Sequence, residues 1–237
     1  MRRAILAGCL LAATNVHAGY PLITEDTGTQ GSGGWQLEGV TERQHERGTG
    51  MRTSSDTLAL SYGISSEVDV QGVLPWYQGG SQGTGDPEIS LKWRFFQHGA
   101  FSAGVKPAIT IPVGDPDDGA GTGRPTWAVT LIASCDIGPL AINADLKYLR
   151  NNNTVDERTS IGEGSVGALY RVGPVRLVAD YTRETPTDPA IGESARYRVI
   201  GLQWLLRQDF GLGFGYKRGS HGATIEDSWI LGASVRW

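Results

Sequence analysis

Five charged residues in the first half of the chain, Asp69, Glu88, Lys92, Arg94 and Lys106, are spaced so that an antiparallel sheet gathers them on one face. Pairing across the short connection at 97–100 sets Lys92 near Lys106. Pairing across 78–85 sets Asp69 near Arg94, with Glu88 further along. Fixed charges of this kind do not make or break bonds by themselves. They attract, orient and discriminate, and cationic groups along a wet passage select carboxylates and other anions. The same charges can instead neutralise one another and stiffen a narrow interior. Both outcomes are open at this point.

Bond-making chemistry has less support. Beyond residue 18 the histidines are His45, His98 and His221. If the last strand closes on the first, His45 and His221 fall in neighbouring loops, within reach of Ser220, Glu42, Glu46 and Asp227. That is the raw material for a nucleophile and its base. No hydrolase motif surrounds them, so no catalytic residue is expected. Asp115, Asp117, Asp118 and Gly119 begin like a calcium loop, but the glycine comes one place early and no glutamate closes it. The loop reads as solvated, with no metal. Gly211, Gly213 and Gly215 alternate within a strand pattern and no helix follows, so they do not cradle a nucleotide. No cofactor is expected. With 25 acidic against 21 basic residues and no basic run, nucleic acid is excluded as a partner.

The elements that must carry these residues are strands. Period-two alternation marks twelve segments: 35–44, 56–63, 67–77, 86–96, 101–113, 125–136, 140–150, 161–172, 175–185, 195–206, 210–218 and 227–237. Short connections (63–66, 97–100, 137–139, 173–174, 207–209) alternate with longer polar ones (43–55, 78–85, 114–124, 151–160, 184–194, 219–226). One parity is apolar, as in Leu140, Ile142, Ala144 and Leu146. The other carries Asn143, Asp145, Lys147, Arg171, Arg176 and Asp180 besides the five charges above. A sandwich core would leave those charges unpaired at high cost. A wet lumen accepts them, and lipid accepts the apolar parity. Trp35, Trp93, Trp204 and Trp237 fall near the short-turn ends; Trp76, Trp127 and Trp229 fall near the long-loop ends. Two such belts suit the two surfaces of a bilayer. The fold class expected is therefore all-β: a transmembrane, antiparallel, up-and-down β-barrel of about twelve strands with periplasmic termini. Two blemishes stand out. Pro107 and Pro112 predict a bulge or break, and the strand over 196–206 changes parity, which predicts a second bulge and leaves the facing of Arg196 and Arg198 open.

Residues 1–18 read as a cleaved signal peptide: Arg2 and Arg3, an apolar run from Ala4 to Ala13, and a cleavage site at Val16-His17-Ala18. Residues 19–34 read as an irregular periplasmic lead-in, and 35–237 as the barrel. Cleavage would remove Cys9, leaving Cys135 as a small apolar residue near the short-turn end. From Ser228 to Trp237 the chain alternates up to a terminal aromatic, which resembles the C-terminal assembly signal of bacterial outer-membrane barrels. That resemblance implies recognition by the barrel assembly machinery, and lipid and lipopolysaccharide as surroundings in the bacterial outer membrane.

A second resemblance is carried by the run Gly85-Asp86-Pro87-Glu88-Ile89-Ser90-Leu91-Lys92-Trp93-Arg94-Phe95-Phe96. It continues in Lys106-Pro107 and Pro112-Val113-Gly114-Asp115, and is preceded by Gly33-Gly34-Trp35-Gln36-Leu37-Glu38. These stretches resemble the outer-membrane β-barrel family of phenol meta-cleavage pathway transporters, chiefly over residues 20 to 115. The resemblance implies passive passage of small solutes, aromatic or hydrophobic compounds among them. A structural or surface-interaction barrel with a filled lumen, and an outer-membrane hydrolase with its site in the outer loops, are the alternatives.

Overall fold

The computed structural model describes residues 19–222 and 224–237; the signal-peptide reading of residues 1–18 lies outside them. Among the described residues there are twelve long strands and one two-residue strand: β1 (Trp35–Arg47), β2 (Arg52–Gly63), β3 (Val68–Gln78), β4 (Gly83–Thr84), β5 (Glu88–His98), β6 (Phe101–Thr110), β7 (Trp127–Ile137), β8 (Leu140–Arg150), β9 (Ser160–Val172), β10 (Val175–Glu184), β11 (Ala195–Leu205), β12 (Phe210–His221) and β13 (Thr224–Arg236). Each long strand pairs antiparallel with its sequence neighbours, β4 being a short addition to β3. Pairing of β1 with β13 closes the sheet. The result is a closed antiparallel barrel of twelve long strands.

Alternation makes the wall. On β8, Ile142 and Leu146 point outward and are exposed, whereas Asn143 and Asp145 point inward and are buried. The hairpins β5–β6, β7–β8 and β9–β10 turn on Gly99, Gly138 and Gly173, at φ of 57°, 60° and 59°. A two-residue hairpin needs positive φ at its first central position, which glycine supplies without strain.

Several expectations are corrected. The polar stretches 43–55 and 219–226 are mostly strand, because backbone pairing continues beyond the apolar band: β1 and β2 run to Arg47 and from Arg52, and β12 and β13 to His221 and from Thr224. The strand over 196–206 has no bulge. Its register with β10 and β12 is unbroken, so Arg196 and Arg198 share the outward face with Ile200, Leu202 and Trp204. Inward parity there goes to Tyr197, Val199, Gly201 and Gln203. Pro107 keeps its register opposite Val129 on β7, but the break expected there is seen on its other side, where Lys106 and Pro107 have no ladder partners on β5; Pro112 lies beyond the end of β6. A further irregularity falls on β5, where the register slips between Trp93 and Phe96 and turns both Phe95 and Phe96 outward.

The outer face is apolar and flanked by rings. At the short-turn end, Trp35 stacks on Trp237 at 6.3 Å and meets Tyr62 at 4.6 Å. At the long-loop end, Trp127 meets Tyr148 at 5.6 Å and Trp229 meets Tyr216 at 5.0 Å. Between the belts, Leu131, Leu146, Leu177 and Ile200 are all more than half exposed. A continuous apolar band of this kind requires lipid around it. Cys135 lies on the same outward face, opposite Ile142 and Phe101.

Candidate functional site

The interior is polar, and residues 19–30 occupy part of it. Read from sequence as a lead-in ahead of the barrel, this segment runs inside the ring of strands and follows the inner wall in strand order. Gln203 on β11 donates to the carbonyl of Gly19 at 2.7 Å. Asp180 on β10 accepts the Thr24 N–H at 2.9 Å and the Thr24 hydroxyl at 2.6 Å. Asp145 on β8 accepts the Glu25 N–H at 2.8 Å. The Thr27 N–H donates to Ser134 on β7 at 3.1 Å, and its hydroxyl pairs with Ser102 on β6 at 2.6 Å. Asp69 on β3 takes the Gln30 N–H at 2.8 Å. Irregular backbone in a barrel must find partners, and here the inward carboxylates and hydroxyls supply them.

Room for the segment comes from glycine. Gly201, Gly213 and Gly215 face inward on β11 and β12, so this part of the wall lacks side chains. A Cβ at Gly213 would collide with the Tyr20 carbonyl, and one at Gly215 with Pro21. Gly213 and Gly215, with Gly201 beside them, therefore seat a chain against the wall. Their parity was the one signal in the sequence that something fills the space they leave.

Glu25 is the centre of the arrangement. Its carboxylate lies 3.1 Å from the Lys92 ammonium and accepts a hydrogen bond from Lys106. Asp26 stands 3.9 Å from Lys92, and Gln71 accepts from Lys106 at 3.1 Å. Burial alone would raise the Glu25 pKa, but the two ammonium groups outweigh it and hold the carboxyl below the ordinary carboxylate range.

Of the five residues singled out from sequence, Asp69, Glu88, Lys92 and Lys106 line one cavity of about 430 Å³, bounded below by the segment. Arg94 lies apart from it. Its guanidinium donates to the Ser66 carbonyl at 2.7 Å and its N–H to the Glu67 carbonyl at 2.9 Å, at the short-turn end. The register places Asp69 opposite Lys92 rather than beside Arg94, because β3 and β5 pair further along than the length of their connection suggested. Glu42, read from sequence only as a neighbour of the loop histidines, and Lys217, missed from sequence, complete the upper part, 2.6 Å apart across β1 and β12. What the arrangement can do chemically is hold anions and cations in fixed, opposed positions around a water-accessible space.

The histidines are not gathered. His45 is a strand residue on the outward parity of β1, opposite Asp227, whereas His221 ends β12 on the inward parity. The wall separates them, since both strands extend beyond their expected ends. Ser220 pairs with Ile225 on the outward side.

The backbone is similar to those of several outer-membrane proteins of known structure. An outer-membrane channel from Pseudomonas putida F1 superposes with a TM-score of 0.69 at 14% identity, over 90% of this chain and 98% of that one. The NanC porin gives 0.63 at 10% identity, over 83% and 98%. The KdgM porin gives 0.57 at 9% identity, over 84% and 98%. These identities establish a shared fold. No curated protein matches the chain by sequence. A bacterial outer-membrane β-barrel accounts for the closed sheet, the lipid-facing band and the paired aromatic belts. The family described as "Putative MetA-pathway of phenol degradation" matches residues 60–224, from β2 to the first residue of β13, and the chain belongs to that family.

Proposed function

We propose that the protein is a passive outer-membrane channel for small solutes, with both termini in the periplasm. Asp69, Glu88, Lys92 and Lys106 form its selectivity region. The observation that carries this is the charged cavity above residues 19–30, with Glu25 holding both lysines. A solute carboxylate is chemically equivalent to the Glu25 carboxylate and competes for the same two ammonium groups. Small aromatic acids join the family's phenol-pathway description to that cation pair. The likeness in fold to a channel and to porins supports passage rather than catalysis.

Conductance of the refolded protein in a planar bilayer tests the reading. The wild type is expected to show small, defined steps. Glu25→Gln frees two cations, so steps become larger and shift towards anion preference. Lys92→Glu with Lys106→Glu shifts preference towards cations. Absence of steps from all three correctly folded proteins rules out the open channel.

A second reading has its own observation. The segment is bonded to β3, β6, β7, β8, β10 and β11, which also suits a structural barrel with a filled lumen. Deleting residues 20–30 separates the two: a channel gains conductance and keeps its barrel, whereas a structural plug takes barrel stability with it.

A further inference from the structure

The outer wall carries an asymmetry that passage of solutes does not use. On β10, β11 and β12 the outward parity continues past the aromatic belt into Arg183, Arg196, Arg198 and Arg218, all exposed. Register sets Arg183 directly across from Arg196, and Arg198 directly across from Arg218. Arg218 is held by Asp227 at 2.8 Å, and Arg47 shares that carboxylate. Among the described residues, no carboxylate pairs with Arg183, Arg196 or Arg198.

Like charges directly opposite each other destabilise a sheet unless an anion lies between them. The guanidinium fork matches a phosphate, taking two of its oxygens at once. The level is also specific. Arg198 pairs with Tyr181 in the aromatic belt, and Arg218 lies two residues beyond Tyr216. At about 3.3 Å per residue, the four guanidinium groups stand at the headgroup layer and point away from the lumen. Position around the barrel matters too. At the same level the outward parity also carries Arg52 on β2, in line with Arg218, and Arg47 on β1 just beyond, but on β5 to β9 it offers only Arg150 among strand residues. A general need for cations at the membrane surface would populate the whole circumference.

We propose that Arg183, Arg196, Arg198 and Arg218 form a docking site on the outer wall for a phosphorylated glycolipid of the outer leaflet. Arg183 with Arg196 takes one phosphate of a bisphosphorylated headgroup, and Arg198, beside the Asp227-bound Arg218, takes the other, the chemistry of lipid A. The inference rests on the long-loop end facing outward.

The test is binding of lipid A to the refolded barrel in detergent, read by native mass spectrometry. Monophosphorylated lipid A, phosphatidylglycerol and inorganic pyrophosphate are the other probes. Wild type is expected to bind bisphosphorylated lipid A about ten-fold or more tighter than Arg183→Gln/Arg196→Gln/Arg198→Gln. The monophosphorylated form falls between, and Arg150→Gln matches wild type. Equal affinity of wild type and the folded triple variant overturns the proposal. Pyrophosphate binding as tightly as lipid A overturns it also, by showing a free-anion site. If the triple variant does not refold, Arg196→Gln alone is expected to weaken binding by about three-fold, and no change there counts equally against the site. Orientation is read separately, by labelling Glu193→Cys in a Cys135→Ser background on intact cells with an impermeant maleimide. Detergent binding is indifferent to orientation, so failure of one arm does not hide the other.

Discussion

At the scale of single residues, Asp180 and Gly215 define how the lumenal segment is held. Asp180 accepts three hydrogen bonds from Ile23 and Thr24 with a single carboxylate oxygen. Asp180→Ala removes that acceptor and leaves two backbone donors to find water. The segment's docking is expected to weaken by about 1–3 kcal/mol. Protease cleavage after Tyr20–Thr24 in the refolded protein, faster in the variant, is the check. Gly215→Val acts by collision rather than by lost bonding, since the new side chain occupies the place of Pro21. Larger conductance steps with an intact, heat-modifiable barrel are expected. Identical steps would show that the segment does not limit flow. The inward parity of both residues was legible in the sequence. Their partners were not, because residues 19–30 have no period and so carry no local signal of where they lie.

Strands are the scale at which period-two reading succeeds and where it fails. β8 and β10 match their expected spans closely, because each alternates cleanly and starts from a Gly-Pro hairpin. β11 misled for a definite reason. Tyr197 and Val199 offer apolar surface on one phase and Ile200 and Leu202 on the other, so hydropathy alone favours a bulge. Register shows that Tyr197 and Val199 face inward, with Val199 nearly sealed from solvent and beside Gly215, where Pro21 lies. An inward apolar pair is tolerated there because the lumen holds chain, not only water. A direct consequence is that Ile200 meets lipid at mid-strand, with Leu202 next to it on the same face. Ile200→Lys is expected to cost about 2–4 kcal/mol of barrel stability. Arg198→Leu, two residues nearer the rim, should cost little. Urea titration of folding into vesicles measures both.

Over the whole molecule, the charged interior and the apolar exterior exchange the ordinary places of core and surface. Asp69, Asp145 and Asp180 are 3%, 5% and 6% exposed, while Leu146 is 66% exposed. Each buried carboxylate survives because it accepts hydrogen bonds from the segment that winds past it. A barrel lacking residues 19–30 would therefore leave those acceptors to water, and its lumen should hydrate. Heat-modifiability retained in the deletion variant, together with increased conductance, is the expected outcome if the wall is independently stable.

Period-two alternation, paired aromatic belts and short glycine turns determined the wall from the sequence alone, since each depends on residues one or two positions apart. Which residues meet inside it was decided only by closure. Bonds from the segment to the wall join residues separated by between 37 and 184 positions. Those contacts exist only once β1 pairs with β13 and the inward faces of all the strands surround one space.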